Sequence, residues 1–290
     1  MPDVLLATCA QLPEGDADER LTPPALAKHG LDARFAIWDD RAVDWDSVRL
    51  VVVRSTWDYT GRLEAFLRWA ESVPRLRNPL EVLRWNTDKR YLDDLADAGL
   101  PVVPTAFVTP GGPRPPLHGE VVVKPTVSAG ARDTARFEAG RHREAHEHLS
   151  ALQREGRTAM LQPYQASVDE HGETALLYIA GAYSHAIRKG PILPTGGRPP
   201  RLREHEGGLF AAEEITPHEP SPAERVAGDA VIACLEGRFG GALLYARVDL
   251  VADDGGAPRV LEVELTEPAL FLGYAPGAPE RLAAASAAQL

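Results

Sequence analysis

Two kinds of hydrophobic pattern alternate along the chain, and together they predict an α/β protein. Val4–Thr8 and Leu50–Arg54 are apolar runs of strand length that read as strands buried on both faces, as in a parallel sheet. Ala33–Trp38 reads as a further strand. Pro23–His29 and Arg62–Glu71 carry helical spacing, so the opening predicts an α/β lobe ending near residue 80, at the turn Asn78-Pro79. Thr87 then stands where an N-cap would for a helix over Asp88–Ala98. Gly99 supplies the stop, with Pro101 just beyond it.

From Glu120 the runs become shorter. Val121–Val123 ends on Lys124-Pro125 and a loop of small residues, Ser128-Ala129-Gly130-Ala131. A helix is predicted over Arg141–Glu155 and a strand over Ala159–Gln162. Two strand pairs follow, Thr174–Ala180 with Tyr183–Lys189, and Ala242–Val251 with Arg259–Leu265, each joined by a Gly-containing turn. Residues 190–222, between the pairs, are rich in Pro, Gly and charge, and read as a binding loop, a lid or a partly disordered stretch. An Ala-rich tail follows Pro279.

Composition narrows the function classes. Of 290 residues, 44% are hydrophobic and 25% charged, which suits a protein with a substantial core. The formal net charge of -11 argues against a nucleic-acid partner, while a small phosphorylated ligand stays compatible with local lysines and a metal. Cys9 and Cys234 form no metal or redox motif, which fits a reducing cytoplasm. The Val4–Cys9 run is too short for a signal sequence, and no apolar stretch approaches the ~20 residues of a membrane helix. The expectation is a cytoplasmic protein acting on small molecules, with self-association left open.

The last strand pair carries the most chemistry. Arg247 and Asp249 are two apart and share one face of their strand; Glu262 and Glu264 share one face of theirs, with Leu261, Val263 and Leu265 opposite. A hairpin centred between Gly255 and Gly256 would set Asp249 opposite Glu262 and Arg247 opposite Glu264. A slip of one residue would separate the two charged sets. Three carboxylates with one guanidinium suit a hard cation, Mg2+ or Mn2+; the alternative is a solvated sheet face of mixed charge. Lys124 precedes a loop able to approach phosphates through its N–H groups, and Lys89 lies in Asn86-Thr87-Asp88-Lys89. Neither belongs to a Walker A loop. Gln162-Pro163-Tyr164 ends a strand where it could meet an adenine edge. Glu173 opens the next strand, on whose partner His185 and Lys189 share a face.

These segments, in this order, resemble the ATP-grasp ligases. Arg54-Ser-Thr-Trp-Asp-Tyr59, Asn86–Lys89, Lys124-Pro-Thr-Val-Ser-Ala-Gly130, Tyr183–Lys189 and Leu261–Pro268 are more narrowly similar to the O-ureido-serine cyclo-ligases of D-cycloserine biosynthesis, from residue 4 to about 275. The resemblance implies an ATP-grasp fold with a pre-grasp α/β domain (1–85), a linker helix and lid subdomain (86–163) and a C-terminal metal-binding subdomain (164–290). It implies that Lys89, Lys124, Ser128, Gln162, Pro163, Tyr164, Glu173 and Lys189 hold ATP. Asp249, Glu262 and Glu264 would hold magnesium, and Arg247 would stabilise the acyl phosphate and tetrahedral intermediate. Glu264 departs from the Asn common at that place. Arg54 and, just after the C-terminus of the Leu50–Arg54 strand, Trp57, Asp58 and Tyr59 are expected to touch the substrate together with Thr266 and Glu267; the alternative for Trp57–Tyr59 is packing around a turn.

The activity implied is activation of a small amino-acid-like carboxylate as an acyl phosphate, attacked by an amine, intramolecularly in a cyclo-ligase. A dipeptide-like ligation between two molecules, or a nucleotide-binding module without catalysis, stays open. His142, His146 and His148 read as a solvated helix face and His185 as a structural hydrogen-bonding residue. Arg201 or Arg203, before Gly207-Gly208, could close over the phosphates, or belong to a solvated insertion.

Overall fold

A computed structural model of the chain describes residues 1–198, 200 and 213–290; Arg201, Arg203 and Gly207-Gly208 lie outside the described residues. The first lobe runs β1 (Val4–Thr8), α1 (Thr22–Ala27), β2 (Ala33–Ile37), β3 (Leu50–Val53), α2 (Leu63–Ser72) and β4 (Leu76–Arg77). Its strands form a parallel sheet in the order β2-β1-β3-β4. Both faces are covered, which is why β1 up to Ala7 and all of β3 are apolar. Leu5, Ala7, Val51 and Val53 meet Phe66 and Trp69 of α2, while Val4, Leu6, Leu50 and Val52 share a core with Leu177 and Ile179 of the third lobe.

A short helix, α3 (Leu80–Asn86), precedes the helix expected over Asp88–Ala98, which is present as α4 (Tyr91–Asp97) and starts three residues late. Thr87 closes α3 instead of capping α4, whose N-cap is Arg90. The break arises because the Lys89 N–H leaves the helical ladder for the carbonyl of Thr126, 2.9 Å away in the second lobe. Gly99 stops α4 with φ +83°, as the sequence predicts.

The second lobe consists of β5 (Ala106–Val108), β6 (Val121–Pro125), β7 (Ala135–Phe137), α5 (His142–Arg154) and β8 (Ala159–Pro163). Its antiparallel sheet, ordered β5-β8-β6-β7, carries Ala145, Leu149 and Leu152 of α5 on one face. His142 and His148 bind the carbonyls of Gly119 and Asp133, so they tie α5 to neighbouring loops.

The third lobe contains α6 (Ser167–His171), β9 (Glu173–Ile179), β10 (Ala182–Lys189), β11 (Ile215–His218), α7 (Pro222–Phe239), β12 (Tyr245–Ala252), β13 (Pro258–Glu264) and α8 (Ala278–Ala287). The sheet is antiparallel throughout, ordered β11-β10-β9-β12-β13. The strand patterning did not announce α7 or α8. The buried side of α7 is built from Ala227, Gly228, Val231, Ile232 and Leu235. At Gly228 a Cβ would fall 2.4 Å from Leu176 Cδ1 and 2.5 Å from the Tyr178 hydroxyl, so glycine lets helix and sheet approach.

β13 is an edge strand, and side chains satisfy its outer backbone groups. The Tyr91 hydroxyl donates to the Val263 carbonyl (2.7 Å) and accepts from the Val263 N–H (2.9 Å). Asn86 Nδ2 donates to the same carbonyl (2.7 Å), and Asn86 Oδ1 accepts from Leu265 N–H (2.7 Å) and Thr266 N–H (3.2 Å). The linker helices thus stand in for a sixth strand, hiding groups that would be costly to leave unpaired.

Candidate active site

A cavity of about 550 Å³ lies where the three lobes meet, and the β12–β13 face forms its floor. Arg247 stands opposite Glu264 and Asp249 opposite Glu262, the pairing expected of a hairpin centred between Gly255 and Gly256. The route to it differs. Ala252 pairs with Pro258, so the turn is centred on Gly255, and Leu261 is an extra residue between the Leu250–Val260 and Asp249–Glu262 pairs. Without this bulge the charged sets would sit on different faces. The bulge also corrects the expected orientation of Leu261, which packs with Val103, Val168, Val251 and Tyr164 at the cavity rather than in the core with Val263.

Cations and carboxylates alternate across the floor. Lys89 Nζ lies 3.0 Å from Glu262 and donates to the Ser128 carbonyl at 2.7 Å; Lys124 Nζ is 3.9 Å from the other Glu262 oxygen. Lys189 bridges Glu173 (2.8 Å) and Asp249 (2.9 Å). Arg247 grips Asp249 with two bonds of 2.9 Å and also bonds Glu264. Burial works against charge on Lys89, but Glu262 overrides it and raises the ammonium's pKa. For Lys124 burial wins and the pKa falls. Burial pushes Glu264 up despite Arg247. On Asp249, Arg247 and Lys189 outweigh burial and hold the carboxyl low.

Among the described residues no three carboxylate, His or Cys side chains converge as a metal-ligating group. Asp249, Glu262 and Glu264 are instead each engaged by Lys or Arg, so the expected magnesium ligands share a floor without forming one cage. A magnesium ion commonly takes only one or two protein carboxylates, with phosphate and water oxygens completing its shell. The hard oxygen set on this floor fits that chemistry.

At one end, Val122, Val251, Leu261 and Tyr164 give an apolar slot beside Gln162 and Pro163. One N–H of the Gln162 amide is donated to Thr105 Oγ1 (3.0 Å), and the Tyr164 N–H to the Glu120 carbonyl (2.8 Å). Arg136 of β7 binds Glu120 and Asp169 and lies 3.5 Å over the Tyr164 ring, joining the second lobe to α6.

At the other end Trp57, Tyr59 and Glu267 line the cavity. Arg54, Asp58 and Thr266 do not, and their assignment to substrate is corrected. Arg54 is fully buried, bonded to Glu19 and to the Pro268 carbonyl (2.7 Å). Asp58 accepts from Trp38 Nε1 (2.8 Å) and pairs with Arg62. Thr266 is buried against Asn86. These residues hold the walls that present Trp57, Tyr59 and Glu267. His185 lies off the cavity, bonding the Leu270 carbonyl at 2.9 Å. Little in the sequence marks Asn86 and Tyr91 as supports of β13, or Asp18, which accepts from Leu272 and Gly273 N–H (both 2.7 Å) at the cavity mouth. Only the proximity of Asn86 to Lys89 hinted at any of them.

A lid sheet and a larger antiparallel sheet enclosing a cavity of lysines and carboxylates define an ATP-grasp ligase. Residues 4–81 match the model of the D-cycloserine synthetase DcsG N-terminal domain. Over 277 residues, 90% of either chain, the sequence is 37% identical to the cycloserine biosynthesis protein DcsG of Streptomyces lavendulae. The crystal structure of D-cycloserine synthetase DcsG superposes with a TM-score of 0.88 at 34% identity, covering 99% of each chain. The ATP-grasp ligase PsnB, in complex with a phosphomimetic precursor variant, Mg and ADP, shares the fold at a TM-score of 0.60 and 19% identity, over 100% of this chain and 99% of that one. The chain belongs to the DcsG family and is an ATP-dependent carbon–nitrogen ligase. Among the described residues, no helix is long and apolar enough to cross a membrane.

Proposed function

We propose that this ligase activates the carboxylate of a small amino acid derivative as an acyl phosphate and closes the product by attack of the substrate's own nitrogen, in antibiotic biosynthesis. The observation that carries the reading is the floor itself, where Lys89, Lys124, Lys189 and Arg247 interleave with Asp249, Glu262 and Glu264. The near full-length relationship to a cycloserine biosynthesis protein supports ring closure.

ATP binds with its base in the slot of Val122, Tyr164, Val251 and Leu261, and its phosphates exchange places with the carboxylates that now hold the lysines. Asp249, Glu262 and Glu264 would hold the magnesium ion, which offsets charge on the phosphates. A substrate carboxylate oxygen attacks the γ-phosphorus, and the bond to the ADP oxygen breaks. Arg247, buried beside the Ala269 carbonyl and Phe271, stabilises the acyl phosphate and the oxyanion of the next step. The nitrogen then attacks the acyl carbon. Phosphate leaves with the carbon–oxygen electron pair, and the nitrogen gives up a proton.

ADP release measured over a panel of amino-acid carboxylates, with hydroxylamine present, tests this reading. Expected are ADP formation from O-ureidoserine in a parallel assay without hydroxylamine or any second amine, and a hydroxamate where hydroxylamine is added. A requirement for an added amine would replace ring closure by intermolecular ligation. Nucleotide binding without ADP or hydroxamate from any substrate would refute the reading.

A further inference from the structure

Glu267 differs from the carboxylates of the cavity floor and of the adjoining strand β9. Glu173, Asp249, Glu262 and Glu264 each have a lysine or arginine at bonding distance. Glu267 is 7% exposed and faces the cavity, yet among the described residues it has no ion-pair partner. Its neighbour is the Tyr59 hydroxyl, and Lys89, whose charge reaches it, is already bonded to Glu262 and Ser128.

The segment carrying Glu267 is held with unusual completeness. The Thr266 carbonyl accepts from the Tyr245 hydroxyl (3.0 Å), the Glu267 carbonyl from Trp57 Nε1 (2.9 Å) and the Pro268 carbonyl from Arg54 Nη2 (2.7 Å). The Thr266 N–H donates to Asn86. Four side chains from distant parts of the chain thus fix three residues and leave one carboxylate directed at the cavity. A buried carboxylate without a cation is unfavourable, and a site that preserves one is complementary to a cationic ligand. Burial, then the charge of Glu264, pushes its pKa up to about 8, as expected of a carboxyl awaiting a counter-charge.

We propose that Glu267, with the Tyr59 hydroxyl beside it, binds the ammonium group of the substrate, so that a free amino group is a condition of productive binding. This rests on the carboxylate-activating reading above. Arg247 faces the same cavity, so the two ends of a zwitterionic amino acid meet opposite fixed charges.

The experiment compares O-ureidoserine with its N-acetyl and desamino counterparts, by ADP release from the full chain with ATP and Mg2+. For the unaltered enzyme, kcat/KM is expected to favour the amino form at least ~100-fold, the range found when a buried charge loses its partner. Glu267→Gln is expected to raise KM for the amino form about 100-fold and to erase the preference, with kcat within about threefold and the KM for ATP and Mg2+ unchanged. Glu267→Asp, which keeps the charge, retains the preference, and Tyr59→Phe weakens it about fivefold.

Turnover of the N-acetyl form as readily as the amino form by the unaltered enzyme overturns the proposal without any variant. So does a Glu267→Gln enzyme with reduced kcat at unchanged KM, which marks a proton-transfer group, or a shifted Mg2+ requirement, which marks a metal ligand. No ADP from any of the three compounds overturns the carboxylate-activating reading itself, and the proposal with it.

Discussion

Replacing Asn86 with leucine should loosen the β13 strand and weaken magnesium use together. Leucine keeps the approximate size but removes the acceptor for the Leu265 N–H and the donor to the Val263 carbonyl. The carbonyl retains the Tyr91 hydroxyl at 2.7 Å, whereas the Leu265 N–H is left buried and unpaired. One orphaned buried donor costs about 1–3 kcal/mol, and the lost bond to Thr266 brings the expected total to about 2–3 kcal/mol. In a chain of this size that corresponds to a Tm lower by about 4–10 °C. Glu262 and Glu264 sit on the same strand, three and one residues before Leu265, so the Mg2+ concentration for half-maximal ADP release should rise about tenfold. Thermal scanning and a magnesium titration of the same preparation measure both effects. An unchanged Tm with an unchanged magnesium requirement would show that Asn86 does not brace the floor, and the sixth-strand account of α3 and α4 would fall.

Other expectations follow from the same contacts. Arg247→Ala should leave ATP-analogue binding within a few-fold while lowering ligation by at least ~100-fold; equal loss of both would place Arg247 in nucleotide binding instead. Glu262→Gln should reduce magnesium-dependent ATP turnover, checked by titrating the metal. Arg54→Met should lower stability by about 3–5 kcal/mol by stranding Glu19 in the core, and adding Glu19→Leu should restore much of it; a double variant worse than the single would contradict the pairing. Arg136→Met should raise the KM for ATP about tenfold with little change in kcat, because the Tyr164 ring loses the guanidinium that holds it.

Stability should also depend on His185. Burial lowers its pKa, so the unfolded chain binds the proton more readily, and the contribution of neutral His185 is present above pH ~6.5 and lost as pH falls below it. The drop in Tm between about pH 6.5 and 5 should therefore be smaller in His185→Gln.

Periodicity along single strands was legible without the structure. Alternation placed Arg247 with Asp249 and Glu262 with Glu264, and apolar runs located β1, β3 and β6 to within about two residues. The family resemblance extended this to Lys89, Lys124, Lys189, Tyr59 and Glu267, all of which reach the cavity. What alternation could not supply is anything set by a partner far along the chain. The Asp249–Glu262 pairing was expected from a turn centred between Gly255 and Gly256, but it arises from a turn on Gly255 and a bulge at Leu261. Two offsets cancel, and only the packed sheet shows it. α7 escaped notice because Ala227 and Gly228 open its packing surface and weaken the helical pattern that Val231, Ile232 and Leu235 continue, and Arg54 and Asp58 read as substrate contacts because burial is not written in residue type. Side-chain spacing is a local property of the backbone, visible in one strand. Register, bulges and the burial of a charge depend on which distant groups complete the contact, as Glu19 does for Arg54 and Asn86 for β13, and folding alone brings those together.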